Sequence, residues 1–394
     1  MLRIGPAFNI IMVYKLYLPS YGGIELLMHI IACELIRRGV IVCTATLRLS
    51  DLPSFEVVDG VNVCRLGFRW LLFDQVDVGV DVGGLREVLR DADVVHVFSS
   101  IPSSLLVSSL RRCRELGKVC VWQPIYIPGR FRYHRSVFVR LIGGLWDRFV
   151  LPRLARYAHG LVTLTSAEAE YFRRFRPDLP IEVFGECVEE VSVDRDFVEE
   201  VLGRYGLSWG SYVLSVGRLT WYKGYDLLVD AWRFIEKDYP WLKLVIVGSD
   251  WGYKRELLAR IHKYGLKNVV MLENVPGKEL HALYEGSLFV VQLSRFETFH
   301  RIALEAWSHR KPIVALDLDA ATEHIRDSDD GLLIRNHNDV GEIVSALRRL
   351  IEDDSLRASM GLRGYKVFKE RYSVPRYVDR LLKFYEMVRE AAKA

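Results

Sequence analysis

The stretch SYVLSVGRLTWYKGYDLLVDAW, residues 211–232, joins an apolar run to a helical pattern through a short loop. The run SYVLSV predicts a buried strand, and YDLLVDAW predicts an amphipathic helix. The loop carries Arg218 and Lys223, and Gly224 stands immediately before the helix. Strands that alternate with helices build parallel sheets with helices on both faces. The stretch therefore predicts an α/β fold.

Further apolar runs, each followed by a helical segment, extend this pattern in both directions. Downstream they are LKLVIVGSD, NVVMLEN, LFVVQLS and KPIVALDL, and upstream they are GVIVCTATL, DADVVHVF, KVCVW and GLVTLT. A polar, acidic run, residues 188–207, separates the two series. The second series of strands and helices after this run predicts two doubly wound, Rossmann-like domains. Because such sheets bind ligands at the carboxyl ends of their strands, we expect the two domains to face each other across a cleft.

The length of 394 residues also fits two domains. We place the boundary near residues 185–210, with an N-terminal domain at 1–187 and a C-terminal domain at 188–372. The final segment, residues 373–394, has the pattern of an amphipathic helix, and we expect it to pack back on the N-terminal domain.

Composition excludes several classes of function. The net charge of +4 is small for this length and argues against nucleic-acid binding as the main role. The first residues have no signal-peptide pattern, and no apolar run reaches the roughly 18 residues of a spanning helix. No C-x-x-C motif occurs, so the cysteines are expected to be buried thiols in a reducing cytoplasm. They are Cys33, Cys43, Cys64, Cys113, Cys120 and Cys187.

Arg218 and Lys223 are candidates for binding a diphosphate. Both follow the predicted strand at its carboxyl end, beside the start of a helix. A guanidinium group and a helix N-terminus both favour an anion there. A surface loop with two solvated cations is the alternative.

The stretch SRFETFHRIALEA, residues 294–306, holds two carboxylates with seven residues between them, Glu297 and Glu305. Thr298 is a candidate N-cap for a helix that runs on through Arg301 to His309. Glu305 would then lie about two turns beyond Glu297, roughly 10 Å by helical rise. This spacing suits a nucleotide-diphosphate sugar, with its sugar at Glu297 and its ribose at Glu305. An exposed helix with two acids is the alternative.

Together, these motifs resemble the retaining glycosyltransferases of family 4, of the group 1 type. GRLTWYKGYDLLVDA is similar to the family's strand-Arg-x4-Lys-Gly signature, and FETFHRIALEA to its E-x7-E segment. KPIVALDLDAATEHI stands where the family has a strand, a loop and a glutamate, here Glu323. PSYGGIELLMHIIACELIRRGVIV resembles the opening loop of the family, with Gly22 and Gly23. The resemblance implies a GT-B fold, with the acceptor bound by the N-terminal domain and the donor by the C-terminal domain.

The resemblance also implies roles for individual residues. Arg218 and Lys223 would bind the donor diphosphate, Glu305 its ribose and Glu297 the transferred sugar, so that Glu297, Arg218 and Lys223 form the catalytic set. The implied donor-binding residues are Gly22, Gly23, Arg218, Lys223, Glu297, Thr298, Phe299, His300, Arg301, Ile302 and Glu305. No metal-binding motif occurs, and no cofactor is expected besides the nucleotide-sugar substrate.

The chain departs from the family pattern at several positions. Ile125 and Ile127 stand where family members commonly have histidines, and Asp319 and Ala320 stand in place of two glycines. His300 replaces a further glycine. This histidine would either narrow the donor pocket or add a cation to it, or else point away and satisfy local polar groups.

Three residues of the N-terminal half are candidates for the acceptor side. His96 is expected at the end of a strand, facing the cleft, where it would compensate for the missing histidines. Gln123 and Tyr126 are the other polar groups near the altered turn, and neither is a good general base at neutral pH. A hydrogen-bonded structural role for His96 is the alternative.

Residues 130–157 mix seven arginines and several aromatic residues with a single acid, Asp147. This mixture suits the interface of an anionic membrane, and hence an acceptor that is a lipid or a lipid-linked sugar. The alternative is a partly solvated helix that covers the N-terminal sheet.

The sequence thus predicts a cytoplasmic glycosyltransferase of glycan biosynthesis that retains anomeric configuration. The membrane interpretation would place it peripherally on the inner face. Two other interpretations stay open: a catalytically impaired relative that binds a nucleotide or sugar as a partner subunit, and a sugar-nucleotide epimerase of similar fold.

Overall fold

The computed structural model describes residues 8–20, 22–49, 51–72, 76–99, 101–127, 137–318 and 322–393. The chain divides into two compact units. The N-terminal unit comprises Met1–Glu186 and Val374–Ala394, and the C-terminal unit comprises Cys187–Ser373. The final helix thus belongs to the same unit as the first half of the chain.

The N-terminal unit is built on a largely parallel sheet. Its strands are β1 (Asn9–Val13), β2 (Ile41–Leu47), β3 (Phe55–Val58), β4 (Val61–Leu66), β5 (Trp70–Leu72), β6 (Val76–Val78), β7 (Val94–Phe98), β8 (Val119–Gln123), β9 (Gly160–Thr163) and β10 (Ile181–Val183). The described strands of the main sheet run in the order β10-β9-β8-β7-β1-β2-β4-β3, in which β3 alone is antiparallel. The pair β5-β6 forms a separate antiparallel hairpin.

Helices cover this sheet. They are α1 (Gly23–Arg37), α2 (Val82–Leu89), α3 (Ser104–Glu115), α4 (Val137–Leu145), α5 (Leu151–Leu154), α6 (Ser166–Arg173) and α14 (Val374–Ala391). Every residue of β7 and β8 is buried, as expected of central strands in a parallel sheet with both faces covered. A Cβ at Gly160 would lie 2.7 Å from Val388 and 2.9 Å from Phe384, so glycine allows α14 to pack closely on β9.

The C-terminal unit contains a second parallel sheet. Its strands are β11 (Tyr212–Val216), β12 (Lys243–Val247), β13 (Val269–Leu272), β14 (Val290–Gln292), β15 (Ile313–Leu316) and β16 (Gly331–Ile334). Its helices are α7 (Arg195–Arg204), α8 (Tyr225–Asp238), α9 (Lys254–Tyr264), α10 (Gly277–Gly286), α11 (Arg301–Ser308), α12 (Val340–Glu352) and α13 (Asp354–Val367). The strand order β13-β12-β11-β14-β15-β16 is that of a Rossmann fold.

These two sheets confirm the predicted α/β class with two Rossmann-like, doubly wound units. The antiparallel strand β3 and the hairpin β5-β6 were not predicted from the sequence. In the described part of the chain, no helix is both long and apolar enough to cross a bilayer. The six cysteines are free thiols, of which Cys113, Cys120 and Cys187 are buried and the other three are partly buried.

Candidate functional site

The strand order of the C-terminal unit reverses between β11 and β14, which pair through Leu214 and Val290. In doubly wound sheets, ligands bind outside the carboxyl ends of the strands at this switch point. The loop at 217–224 follows β11, and the loop at 293–300 follows β14. The two loops carry Arg218, Lys223 and Glu297, so the fold brings three of the predicted site residues to one edge of the sheet.

Lys223 and Glu297 form an ion pair between these loops. The Lys223 Nζ lies 2.5 Å from the Glu297 Oε1, and both side chains are mostly shielded from solvent. The carbonyl oxygen of Lys223 accepts a hydrogen bond from the Gln292 Nε2 at 3.2 Å. An ammonium group has three donors, so Lys223 can still donate to a ligand while it is paired with Glu297.

Gly224 explains why a glycine follows this lysine. Its φ of 70° lies in the left-handed region, and a Cβ there would be 1.7 Å from the Leu293 carbonyl oxygen. A side chain at this position would therefore overlap the backbone of the neighbouring loop. The two loops thus approach closely at Gly224, next to the ion pair of Lys223 and Glu297.

Arg218 is exposed and lies at the carboxyl end of β11. Its guanidinium carbon is 4.6 Å from the centre of the Trp251 ring, and its Nη2 donates to the Tyr222 hydroxyl at 3.2 Å. Among the residues that the structure describes, no carboxylate is paired with Arg218. Its charge is consequently oriented by neutral groups and available to an anion.

A second ion pair, which sequence reasoning missed, joins the loop at 293–300 to the start of α8. Arg295 donates to both carboxylate oxygens of Asp226, at 2.7 and 2.8 Å. The same residue donates from its backbone nitrogen to the Tyr222 carbonyl oxygen at 2.7 Å, and from its Nη1 to that of Trp221 at 2.9 Å. Arg295 thus orients the segment that carries Lys223. No local sequence pattern predicts the contact between Arg295 and Asp226, which are 69 residues apart.

Helix α11 begins later than we predicted. It runs over Arg301–Ser308, its N-cap is His300, and no side chain caps it, so the prediction that Thr298 is the N-cap was wrong. Glu297 lies outside the helix and Glu305 is its fifth residue. The distance of roughly 10 Å expected from helical rise therefore does not apply to this pair.

Glu305 is held by two neighbours. Its Oε2 accepts from the Tyr284 hydroxyl at 2.8 Å, and its Oε1 accepts from the Arg301 Nε at 3.0 Å. Arg301 in turn donates from its Nη1 to the Cys187 carbonyl oxygen at 2.9 Å. The Glu305 side chain is 20% exposed. Each carboxylate oxygen can accept two hydrogen bonds, so both retain one acceptor position for a ligand.

His300 is buried, and its Nε2 faces the Gln292 carbonyl oxygen at 3.4 Å. Burial lowers its pKa, which keeps the imidazole neutral at pH 7. His300 is therefore neutral here, which favours the alternative in which it satisfies local polar groups over the one in which it adds a cation. The adjacent Phe299 is also buried and stacks on His324, whose pKa burial lowers to about 3. Ile302 is half-buried on the first turn of α11.

The two glycines of the opening loop lie at the start of α1. Gly22 is the N-cap, in an extended conformation, and Gly23 is the first helical residue. A Cβ at Gly22 would meet the Glu25 carboxylate at 2.3 Å, whereas a Cβ at Gly23 would have open space around it. Both follow β1, whose carboxyl end is the switch point of the N-terminal sheet, between β2 and β7.

The acceptor-side candidates are buried. His96 lies in the middle of β7, so the prediction that it ends the strand was wrong. Its Nδ1 is 2.6 Å from the Tyr385 hydroxyl, and burial lowers its pKa to about 3. The Gln123 Nε2 donates to the Tyr377 hydroxyl at 3.4 Å, and the Tyr126 ring packs on Tyr171. Their role towards an acceptor stays a prediction.

Ile125, which stands where the family commonly has a histidine, has an uncommon backbone conformation. Its φ of 54° places a β-branched side chain in the left-handed region, which is sterically costly. The residue is buried in the loop after β8. Ser99, which follows the neighbouring strand β7, also has a positive φ, of 107°. The backbone after each of these two strands is therefore in an uncommon conformation.

Some predicted residues fall outside the described part of the chain. They include Asp319, Ala320 and residues 130–136 of the arginine-rich segment. Glu323 is exposed in a turn after β15. Within the described residues, no three histidine, cysteine or acidic side chains are grouped as a metal site.

Comparison with known proteins extends over both units. The family model described as glycosyl transferase 4-like domain matches residues 22–185. The model described as glycosyl transferases group 1 matches residues 210–367. The second match contains Arg218, Lys223, Glu297 and Glu305.

Curated relatives match over different lengths. The amylovoran biosynthesis glycosyltransferase AmsD of Erwinia amylovora is 34% identical over 146 residues, which are 37% of this chain and 40% of that protein. This chain thus spans about two fifths of the length of that relative. An uncharacterized glycosyltransferase of Methanocaldococcus jannaschii is 25% identical over 395 residues, with 94% of this chain and 95% of that protein covered.

Solved structures show the same fold. Anabaena HepE in complex with UDP has a TM-score of 0.78 at 18% identity, and the match covers 96% of this chain and 100% of that one. Sucrose-phosphate synthase of Thermosynechococcus elongatus has a TM-score of 0.76 at 16% identity, with 98% and 100% covered. These neighbours are GT-B glycosyltransferases, which confirms the predicted fold.

Proposed function

Because the chain belongs to the group 1 glycosyltransferases of the family 4 type, we propose that it transfers a sugar from a nucleotide-diphosphate donor with retention of configuration. The observation that carries the proposal is the placement of Arg218 and Lys223 at the switch point of the C-terminal sheet, with the Glu297 carboxylate paired to Lys223. The complexes of HepE with UDP and with UDP-glucose support a nucleotide-sugar donor.

In this proposal the diphosphate lies between Arg218 and Lys223. Arg218 has its guanidinium exposed and held against Trp251, and Lys223 has donors left over from its ion pair with Glu297. Hydrogen bonds from cations to phosphate oxygens are among the stronger ones in proteins. The two cations would stabilise the charge that develops on the departing diphosphate, as a metal ion does in other enzymes. We therefore propose a reaction without a metal ion or a cofactor.

The carboxylates would fix the rest of the donor. The free acceptor positions of Glu305 suit the two ribose hydroxyls, because a carboxylate accepts hydrogen bonds and cannot donate them. Glu297 accepts a hydrogen bond from Lys223 with its Oε1, which would place the carboxylate beside the diphosphate. The Oε2 would then accept a hydrogen bond from a hydroxyl of the transferred sugar. The donor between its ribose and its transferred sugar would be bordered by Thr298, Phe299, His300 and Ile302.

The proton of the acceptor hydroxyl needs a destination. Within the described loops at this site, the one imidazole is that of His300, which is buried. We propose a front-face displacement, in which the acceptor oxygen bonds to the anomeric carbon as the bond to the diphosphate oxygen breaks on the same face. The departing diphosphate oxygen takes the hydroxyl proton. Its charge is balanced by Arg218 and Lys223.

Calorimetric titration of the protein with a panel of nucleoside diphosphates tests the donor site. We expect one nucleotide to bind with micromolar affinity, and Glu305→Ala to weaken it at least about tenfold, because hydrogen bonds to a charged group contribute about 1.5–3 kcal/mol. Glu279→Ala is a matched control, since Glu279 also accepts from one arginine and one tyrosine, Arg204 and Tyr205.

Equal weakening by the two variants would contradict the ribose role of Glu305. If no nucleoside diphosphate binds to the unmodified protein, the donor proposal fails as a whole. Nucleotide binding without sugar transfer would favour the partner-subunit interpretation, and rearrangement of the donor without an acceptor would favour the epimerase.

We further infer that the acceptor is presented at an anionic membrane surface. The described part of the arginine-rich segment exposes an apolar face on α4, with Phe138 68% and Leu141 64% exposed. Val137, Ile142, Leu145 and Phe149 are exposed as well. Asp147 is buried. An exposed apolar face flanked by arginines suits the headgroup region of a bilayer and an acceptor such as a lipid-linked sugar of glycan biosynthesis.

Vesicle binding tests this inference. We expect the protein to sediment with vesicles of phosphatidylglycerol and phosphatidylcholine at low salt, and Phe138→Ser with Leu141→Ser to weaken binding at least about tenfold, because two large apolar groups no longer enter the bilayer. The control is Phe175→Ser with Leu258→Ser, which removes the same two residue types from other exposed positions. Equal loss in both double variants, or no binding of the unmodified protein, would refute the membrane role.

A further inference from the structure

The N-terminal unit has a cavity of about 660 Å³ at the edge of the sheet opposite the carboxyl ends of its strands. Asp93, Lys118 and His159 line it, and they precede β7, β8 and β9, which are neighbours in the sheet. Arg389 and Lys393, at the end of α14, close another side. The whole lining belongs to the N-terminal unit, whereas the proposed diphosphate-binding cations belong to the C-terminal unit.

The cavity is strongly basic. Four cations line it, Arg114, Lys118, Arg389 and Lys393, against the single acid Asp93. Asp93 is already engaged, because its Oδ2 accepts from the Asn9 backbone nitrogen at 2.9 Å. In the described ranges, none of the four cations is paired with a carboxylate. The Arg389 guanidinium carbon lies 5.0 Å from the centre of the Phe8 ring, and its buried Nε has no hydrogen-bond partner there. The lining therefore offers positive charge and donors without matching acceptors.

A direct conflict between two donors lies in the wall of the cavity. The His159 Nδ1 accepts from the Cys120 backbone nitrogen at 3.0 Å, which leaves the ring proton on the Nε2. The Arg114 Nη1 is 2.9 Å from that same Nε2. Burial and the charge of Arg114 lower the pKa of His159, so the ring is neutral and still carries a proton there. Two N–H groups thus face each other across 2.9 Å, and an anion oxygen placed beside the pair, with both groups turned towards it, would accept from both.

Helix termini alone do not account for this arrangement. Cations near the last turn of a helix interact favourably with its dipole, and this explains why Arg114 and Lys393 lie at the ends of α3 and α14. It does not explain why the N–H of His159 faces Arg114, since that contact involves no helix carbonyl. This contact points to a missing acceptor.

We propose that this cavity binds a small, multiply charged phosphate anion at a site distinct from the donor site. Charge-assisted hydrogen bonds from guanidinium and ammonium groups match phosphate oxygens, and a diphosphate offers enough of them to engage several cations together. Apart from the His159 imidazole, the lining has no aromatic ring on which a nucleobase would stack. The lining therefore favours the phosphate groups themselves over a nucleotide.

Calorimetric titration with inorganic pyrophosphate at low ionic strength tests the site. We expect Arg114→Gln with Lys118→Gln to weaken binding at least about tenfold, because two of the four cations are neutralised. Arg86→Gln with Arg111→Gln is the matched control, since it removes the same charge from exposed positions of the same unit outside the cavity. Arg218→Ala with Lys223→Ala removes the proposed donor cations and is expected to leave this binding in place.

If pyrophosphate binding is lost only in the double variant of Arg218 and Lys223, the anion binds at the donor site and the proposal is overturned. Equal loss in the Arg86 and Arg111 control would indicate long-range charge, and it would overturn the proposal as well. A second measurement uses the unmodified protein with labelled histidine. The imidazole resonance of His159, assigned through His159→Gln, should shift when pyrophosphate is added, and an unchanged resonance would refute the site.

Discussion

Replacing Arg218 with alanine is expected to lower kcat about 10²- to 10³-fold while the protein stays folded. Removal of one preoriented donor from the position where charge develops has this magnitude in other enzymes. The side chain is exposed and has no carboxylate partner in the described ranges, so its loss leaves no unpaired charge behind. The effect should therefore be on turnover, with little effect on stability.

The measurement is the rate of nucleoside-diphosphate release from the donor whose nucleotide binds, with a lipid extract as the acceptor. Arg233→Ala is the matched control, because Arg233 is also an exposed arginine over an aromatic ring, with its guanidinium carbon 4.6 Å from the centre of Phe234. A turnover number unchanged in Arg218→Ala, or lowered equally in Arg233→Ala, would show that Arg218 does not stabilise the departing diphosphate.

Sequence patterns predicted the parts of this site that are local. Residues 211–232 contain a strand, an arginine, a lysine and a glycine close together in the sequence, so their relative positions follow from the local pattern. The structure places Arg218 and Lys223 at the carboxyl end of β11 as expected. The alternation of strands and helices predicted both sheets, because burial on two faces makes parallel strands read as continuous apolar runs.

Contacts between distant segments could not be predicted in this way. The pair of Arg295 with Asp226 joins the loop after β14 to the first turn of α8, 69 residues away in the sequence, and no period or motif relates the two residues. The start of α11 was misplaced because Thr298 is a good N-cap by residue type, whereas the helix begins only after His300, which makes no side-chain cap. β7 continues for two residues beyond His96, and the partner of its ring, Tyr385, lies on the final helix, which no local pattern indicates.

Replacing Gly224 with alanine is expected to destabilise the C-terminal unit by about 2–5 kcal/mol. Two effects add. An alanine with a φ of 70° costs about 1–2 kcal/mol, and its Cβ would overlap the Leu293 carbonyl oxygen, which forces the loop after β14 to move. Overpacking of this kind typically costs a further 1–3 kcal/mol. Nucleotide binding should be lost as well, because the displaced loop carries Glu297.

Gly265→Ala separates the two effects. Gly265 has nearly the same conformation, with a φ of 64°, but a Cβ there meets nothing within 4 Å. Both variants lose the same freedom of the unfolded chain, so that contribution cancels when they are compared. Hydrogen exchange of peptides from β11 and β14 would report the local stability. We expect Gly265→Ala to cost only about 1–2 kcal/mol and to leave nucleotide binding intact. If the two variants behave alike, backbone conformation accounts for the whole effect, and the close approach of the loops at Gly224 does not hold the ion pair of Lys223 and Glu297 in place.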